Sequence, residues 1–232
     1  YWELPEALDF AWETQQTMHY NLKPDYIMVG YAAGSKLCDI GLAGVDPEGD
    51  SERIIGTPQY LAPERIVGMD GDNRSDLYSL GVSFFFTITG EFPFVGESTN
   101  EIVSKHLEEF PRPANQVVSD IPTHVCSIID MLLEKNPHDR YQTGNMLIED
   151  LEAVARGQVP AHAMKGARIS PSQDQYAAIN SPMRPGTLRV HVGPDQTGTA
   201  LQANAESERS TVIKVTKGDV VHADSPPAKA GI

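Results

Sequence analysis

His19-Tyr20-Asn21-Leu22-Lys23-Pro24-Asp25-Tyr26 is the stretch on which the reading of this chain turns. It follows an amphipathic segment, Tyr1 to Met18, in which Leu4, Ala7, Leu8, Ala11 and Trp12 recur at three- and four-residue spacing. That period predicts a helix with one apolar face, and Pro5 is tolerated in its first turn. After the stretch come two short apolar runs, Ile27 to Val29 and Lys36 to Cys38, predicted as strands around a Gly34-Ser35 turn. Asp39-Ile40-Gly41 follows, placing one hard carboxylate at a strand end, a ligand type suited to magnesium.

Further on, Gly44 to Ile55 is polar and acidic and reads as a surface loop whose one Ser/Thr is Ser51. Gly56-Thr57-Pro58-Gln59-Tyr60-Leu61-Ala62-Pro63-Glu64 comes next. The segment from Ser75 through Gly90 is apolar nearly all round, as a central buried helix should be. Ser75 is its expected N-cap and Gly90 its stop. Thr99 to Phe110, Pro122 to Glu134 and Thr143 to Ala155 are three amphipathic helices, the middle one with an Ile128, Ile129, Leu132, Leu133 stripe.

The motifs stand in the order and spelling of eukaryotic-type Ser/Thr protein kinases in their bacterial form, and the chain resembles that family from about Tyr1 to Arg156. His19 to Tyr26 resembles the catalytic loop, Asp39-Ile40-Gly41 the magnesium-binding Asp-Phe-Gly, and Gly56 to Glu64 the substrate-docking loop ending in Ala-Pro-Glu. The resemblance implies a mainly α fold: the helical large lobe of a kinase with a small β element around the catalytic loop. It implies structural roles for His19, for Asp76 as a buried anchor of the catalytic loop, and for Glu64 paired with Arg140. It implies that Thr57 bonds the catalytic loop, Lys23 meets the γ-phosphate of ATP, and Asp39 holds magnesium.

Two positions depart from the family. Asn21 stands where the catalytic Asp belongs, and Tyr26 where the metal-binding Asn belongs. An amide oxygen is far less basic than a carboxylate, and loss of a general base costs about 10²- to 10⁴-fold. Tyr20 replaces the Arg that pairs with a phosphorylated activation segment, which argues against switching by that route. No Gly-x-Gly-x-x-Gly occurs in the chain. The chain opens on Tyr1 and reads as a fragment or processed chain; a small lobe holding the nucleotide would need about a hundred more residues. Residues that hold the fold are kept while those of the chemistry are altered, so the resemblance implies a pseudokinase acting as a regulatory or protein-binding module, with ATP and magnesium binding in doubt. Weak phosphotransfer in a protein with a small lobe, and a scaffold remnant, are the other two readings.

Composition bounds the rest. The 232 residues suffice for one domain and additional material. The net charge of -14 argues against nucleic acid and anionic membrane surfaces. From Ala161 onward there are eight basic and six acidic residues, leaving ten and twenty-six before it. An acidic lobe suits a basic protein partner. Cys38 and Cys126 form no disulfide framework and point to a reducing, cytoplasmic setting. No apolar run reaches the roughly 18 to 20 residues of a membrane span. Residues 157–186 read as a Pro-containing linker with Ser170-Pro171 and Ser181-Pro182. Residues 187–232 read as a largely disordered tail or incomplete second domain, with strand-like Thr187 to Val192 and Ser210 to Val215.

Overall fold

The computed structural model describes residues 3–30, 34–41, 53–165, 187–191, 210–216 and 219–220. Helix α1 (Glu3–Gln15) buries Leu4, Leu8 and the polar Asp9. A hairpin follows, β1 (Ile27–Gly30) against β2 (Gly34–Leu37), antiparallel with Ile27 opposite Leu37 and Gly30 opposite Gly34. Gly34 and Ser35 therefore lie in the second strand, not in the turn expected from sequence. Gly34 pairs with Gly30 and has φ +70°, and its missing side chain leaves room for the Glu3 carboxylate of α1, where an added Cβ would collide.

The centre is α3 (Asn73–Thr89), buried continuously from Ser75 to Phe85. Its hydroxyls are neutralised internally: Ser83 donates to the Ser79 carbonyl at 2.9 Å and Thr87 to the Ser83 carbonyl at 2.7 Å. The helix stops at Gly90, left-handed at φ +75°, whose N–H returns to the Phe86 carbonyl at 2.8 Å. Its start differs from the expectation. Asp72, not Ser75, is the N-cap, accepting from the Arg74 N–H at 3.0 Å. Ser75 is used elsewhere, donating to Glu64 Oε1 at 2.6 Å.

Helix α4 (Thr99–Glu108) ends before Phe110, because Pro111 cannot continue it and disfavours helical backbone just before itself. Helix α5 (Thr123–Leu132) lays Ile128, Ile129 and Leu132 on α3, with Leu133 just beyond its end. The approach is close at Gly81, where a Cβ would sit 2.6 Å from the Leu132 Cβ.

Helix α6 (Gly144–Ala155) returns to α1. The Asp9 carboxylate accepts from the N–H groups of Gly144 at 2.7 Å and Asn145 at 2.9 Å, satisfying two orphan donors of the α6 N-terminus. Gly144 has to be glycine, since a Cβ would meet the Pro5 carbonyl. A short helix, α7 (Ala161–Lys165), lies within the segment read as linker. Asp150 accepts from the Tyr141 hydroxyl at 2.8 Å and from the N–H groups of His162 at 3.0 Å and Ala163 at 2.8 Å. Pro160 and Ala163 are buried there, so packing continues past Arg156.

Strand β3 (Arg53–Ile55) runs parallel to β4 (Thr187–His191), which pairs antiparallel with β5 (Ser210–Thr216), and β5 with β6 (Asp219–Val220). Both strand-like stretches of the sequence are thus strands. Ser51, Ser170 and Ser181 lie outside the described residues. Among the described residues, no helix is long and apolar enough to cross a membrane.

Candidate functional site

The loop after α1 is fixed from below by α3. The Asp76 carboxylate accepts from the His19 N–H at 2.7 Å and from the Tyr20 N–H at 3.0 Å. Burial pushes its carboxyl up to about 7, against the pull of those two donors and of the Arg65 charge. Tyr20 is held at φ +68°, a conformation rare for a bulky residue. Leu22 is fully buried, which points the residues on either side outward. His19 is buried too, and desolvation holds its imidazole below the ordinary range, with backbone groups and Asp39 pulling the other way.

Asn21 meets the docking loop. Its Oδ1 accepts from the Thr57 hydroxyl at 2.9 Å and from the Thr57 N–H at 3.1 Å. The expected contact between Thr57 and the catalytic-base position is thus made, with an amide in place of a carboxylate. With its oxygen so engaged, Asn21 has only N–H donors left to offer. Lys23 is half-buried, its Nζ 3.8 Å from Asp25 and 5.4 Å from the centroid of the Tyr26 ring. The Tyr26 ring also tilts against His19, centroids 5.6 Å apart. Asp39 is exposed at the end of the hairpin, with φ +62°, and Gly41 at +77° completes the turn.

Toward a magnesium–nucleotide these residues keep part of the family's donor set. Asp39 offers one carboxylate, and the second hard oxygen ligand has become an aromatic phenol packed on Lys23 and His19.

The docking loop is anchored below. Glu64, in the short helix α2 (Pro63–Ile66), takes a two-pronged contact from Arg140: Nη1 to Oε1 at 2.8 Å and Nη2 to Oε2 at 2.7 Å. Arg140 also donates to the carbonyls of Glu134 (2.7 Å), Arg74 (3.1 Å) and Lys135 (2.9 Å), and its guanidinium lies 4.8 Å from the Tyr78 ring centroid. The Arg140 charge and the Ser75 hydroxyl hold the Glu64 carboxyl below its usual range in spite of burial. Ser79 donates to the Tyr60 carbonyl at 2.7 Å, tying the loop to α3.

Sequence reasoning missed Asp9 and Arg65. Asp9 carried a signal, a carboxylate on the apolar stripe of α1, which needed donors from elsewhere. Arg65, directly after Glu64, carried none.

A helical lobe in which a buried Asp holds a catalytic-type loop, with a docking loop clamped by Glu64 and Arg140, defines the large lobe of a protein kinase. The protein kinase domain family model matches residues 1–151, and the chain belongs to that family. Among its relatives are bacterial serine/threonine-protein kinases. It is 36% identical over 159 residues to PknB of Mycobacterium leprae, covering 67% of this chain and 25% of that protein. It is 36% identical over 151 residues to the probable kinase CE0033 of Corynebacterium efficiens, covering 61% and 23%. With PknA of Mycobacterium tuberculosis the identity is 35% over 169 residues, covering 68% and 38%. The chain thus spans about a quarter to two-fifths of the length of these relatives.

Proposed function

We propose that this lobe is a catalytically impaired kinase domain, a pseudokinase, used as a regulatory or protein-binding module. The observation that carries the reading is the pair of hydrogen bonds from Thr57 into Asn21 Oδ1. Phosphoryl transfer from ATP to a hydroxyl relies on positioning, metal ions and a group that receives the hydroxyl proton. At Asn21 that group is a neutral amide whose oxygen already accepts twice and whose nitrogen presents protons. Tyr26 removes a metal ligand as well. The parts that hold the lobe together, Asp76, Glu64 and Arg140, are all engaged, so a folded surface survives for a protein partner.

A second reading is favoured by the retention of Lys23 and Asp39 and by relatives named as serine/threonine kinases: weak transfer from ATP once the lobe is joined to a small lobe. A scaffold with no nucleotide chemistry is the third. The test is magnesium–ATP binding and phosphate transfer by the full-length natural protein beside its Asn21→Asp variant. No binding by either makes the lobe an interaction module. Binding by both, with transfer by Asn21→Asp alone, leaves the base as the one defect. Transfer by the natural protein at a useful rate overturns the pseudokinase reading.

A further inference from the structure

Tyr20 sits in left-handed backbone, a conformation that is strained for a bulky residue and persists only where its surroundings over-determine it. One side of that restraint is the N–H bonded to Asp76 at 3.0 Å. The other is the ring, which has the Arg65 guanidinium 5.1 Å from its centroid. Arg65 belongs to α2 and directly follows Glu64, the residue clamped by Arg140. Its N–H returns to the Ala62 carbonyl at 3.0 Å, so the side chain leaves from a fixed turn. Its stem crosses Gly71, where a Cβ would stand 2.8 Å from Arg65 Cδ and push the chain aside. A guanidinium delivered so firmly to one aromatic face is a support, and cation–π attraction is the physical term that holds it.

We infer that Arg65 is a positioning residue for the catalytic-type loop, acting through the ring of Tyr20 and so linking the docking-loop anchor to the backbone of Tyr20 and Asn21. Glu64 ties α2 downward to Arg140, and Arg65 ties the same turn upward to the loop. The loop is thereby set by groups of the chain itself. The inference goes beyond the proposed function and holds whether or not the site transfers phosphate.

The test is amide hydrogen exchange in the full chain, read at Tyr20 and Asn21, with Ile128 and Ile129 of α5 as reference. Arg65→Ala and Tyr20→Ala each speed exchange at Tyr20 and Asn21 by about two- to fivefold, the range a partly exposed cation–π contact supplies. Tyr20→Phe, which keeps the ring, exchanges like the natural protein. Tyr20→Arg sets two guanidiniums together, exchanges faster still, and is slowed by about 0.5 M salt through screening. The double variant Tyr20→Ala/Arg65→Ala is no faster than either single variant. Unchanged exchange at Tyr20 and Asn21 in Arg65→Ala overturns the inference. So does a double variant that sums two independent effects. Equal acceleration at Ile128 and Ile129 also overturns it, because Arg65 is then a general stabiliser.

Discussion

Replacing Arg140 by Ala is the most informative single perturbation of this lobe. The side chain is essentially inaccessible, and it makes five hydrogen bonds: two to Glu64 and one each to the carbonyls of Glu134, Arg74 and Lys135. Truncation leaves the Glu64 carboxylate buried with Ser75 as its remaining side-chain donor. Orphaning one partner of a buried pair costs about 3 to 5 kcal/mol. The three carbonyls left without that donor add about 1 kcal/mol each where water does not reach them. A total of about 6 to 8 kcal/mol rivals the whole stability of a typical domain. It translates into a fall in Tm of roughly 12 to 30 °C for a chain of this size. Calorimetry of the full chain reads this directly, and urea midpoints read it independently. The cost belongs to the orphaned charge, so Arg140→Met combined with Glu64→Leu regains more than half of it. A loss below about 1 kcal/mol for Arg140→Ala, or a double variant as unstable as the single, refutes the reasoning.

Two other outcomes follow from packing and titration. Gly81→Ala forces a Cβ to within 2.6 Å of Leu132 Cβ, and the overpacking lowers stability by about 1 to 3 kcal/mol in urea unfolding. His106 is fully buried, its Nδ1 2.8 Å from the Tyr78 hydroxyl, and burial beside the Lys135 charge pushes its imidazole down to about 3. The unfolded chain takes up that proton near pH 6.5 and the folded chain does not, so stability falls as pH drops from 6.5 towards 3. At pH 5 the loss from this residue is about 2 kcal/mol relative to pH 7, seen as a lower Tm. An imidazole titrating above pH 5 in the folded protein, read by NMR, contradicts it.

Much of the site was legible in sequence because its residues act through short, fixed spacing. Asn21 and Lys23 lie in one loop, Thr57 and Glu64 in one docking segment, and Asp76 one residue past Ser75 in the helix that crosses beneath both. The Glu64–Arg140 pair was legible only through family resemblance, since nothing local in either segment names its partner. The start of α3 was misread for a physical reason. Asp72, Asn73 and Ser75 are all good caps, and local propensity cannot rank them. Tertiary demand settles it: Ser75 is needed by Glu64, so the helix has to begin earlier and Asp72 takes the cap. The hairpin turn was misplaced because Gly34 looks like a turn residue, while its glycine character answers to Glu3 on another element. The tie of Asp150 to α7 joins a helix to backbone N–H groups, and backbone donors leave no signature in side-chain patterns.

The Asp9 clasp on the first turn of α6 spans 135 residues of chain. During synthesis at about 5 to 20 residues per second, α1 leaves the ribosome on the order of 10 s before the backbone that Asp9 caps. For that interval the Asp9 carboxylate waits without its native donors, while the apolar stripe of α1 can already pack on β2 and α3, which emerge earlier. Closure of so long a loop comes late, since its entropy must be met before the contact rewards it. The lobe is therefore a latch whose α1–α6 closure comes last, after α1 has met β2 and α3.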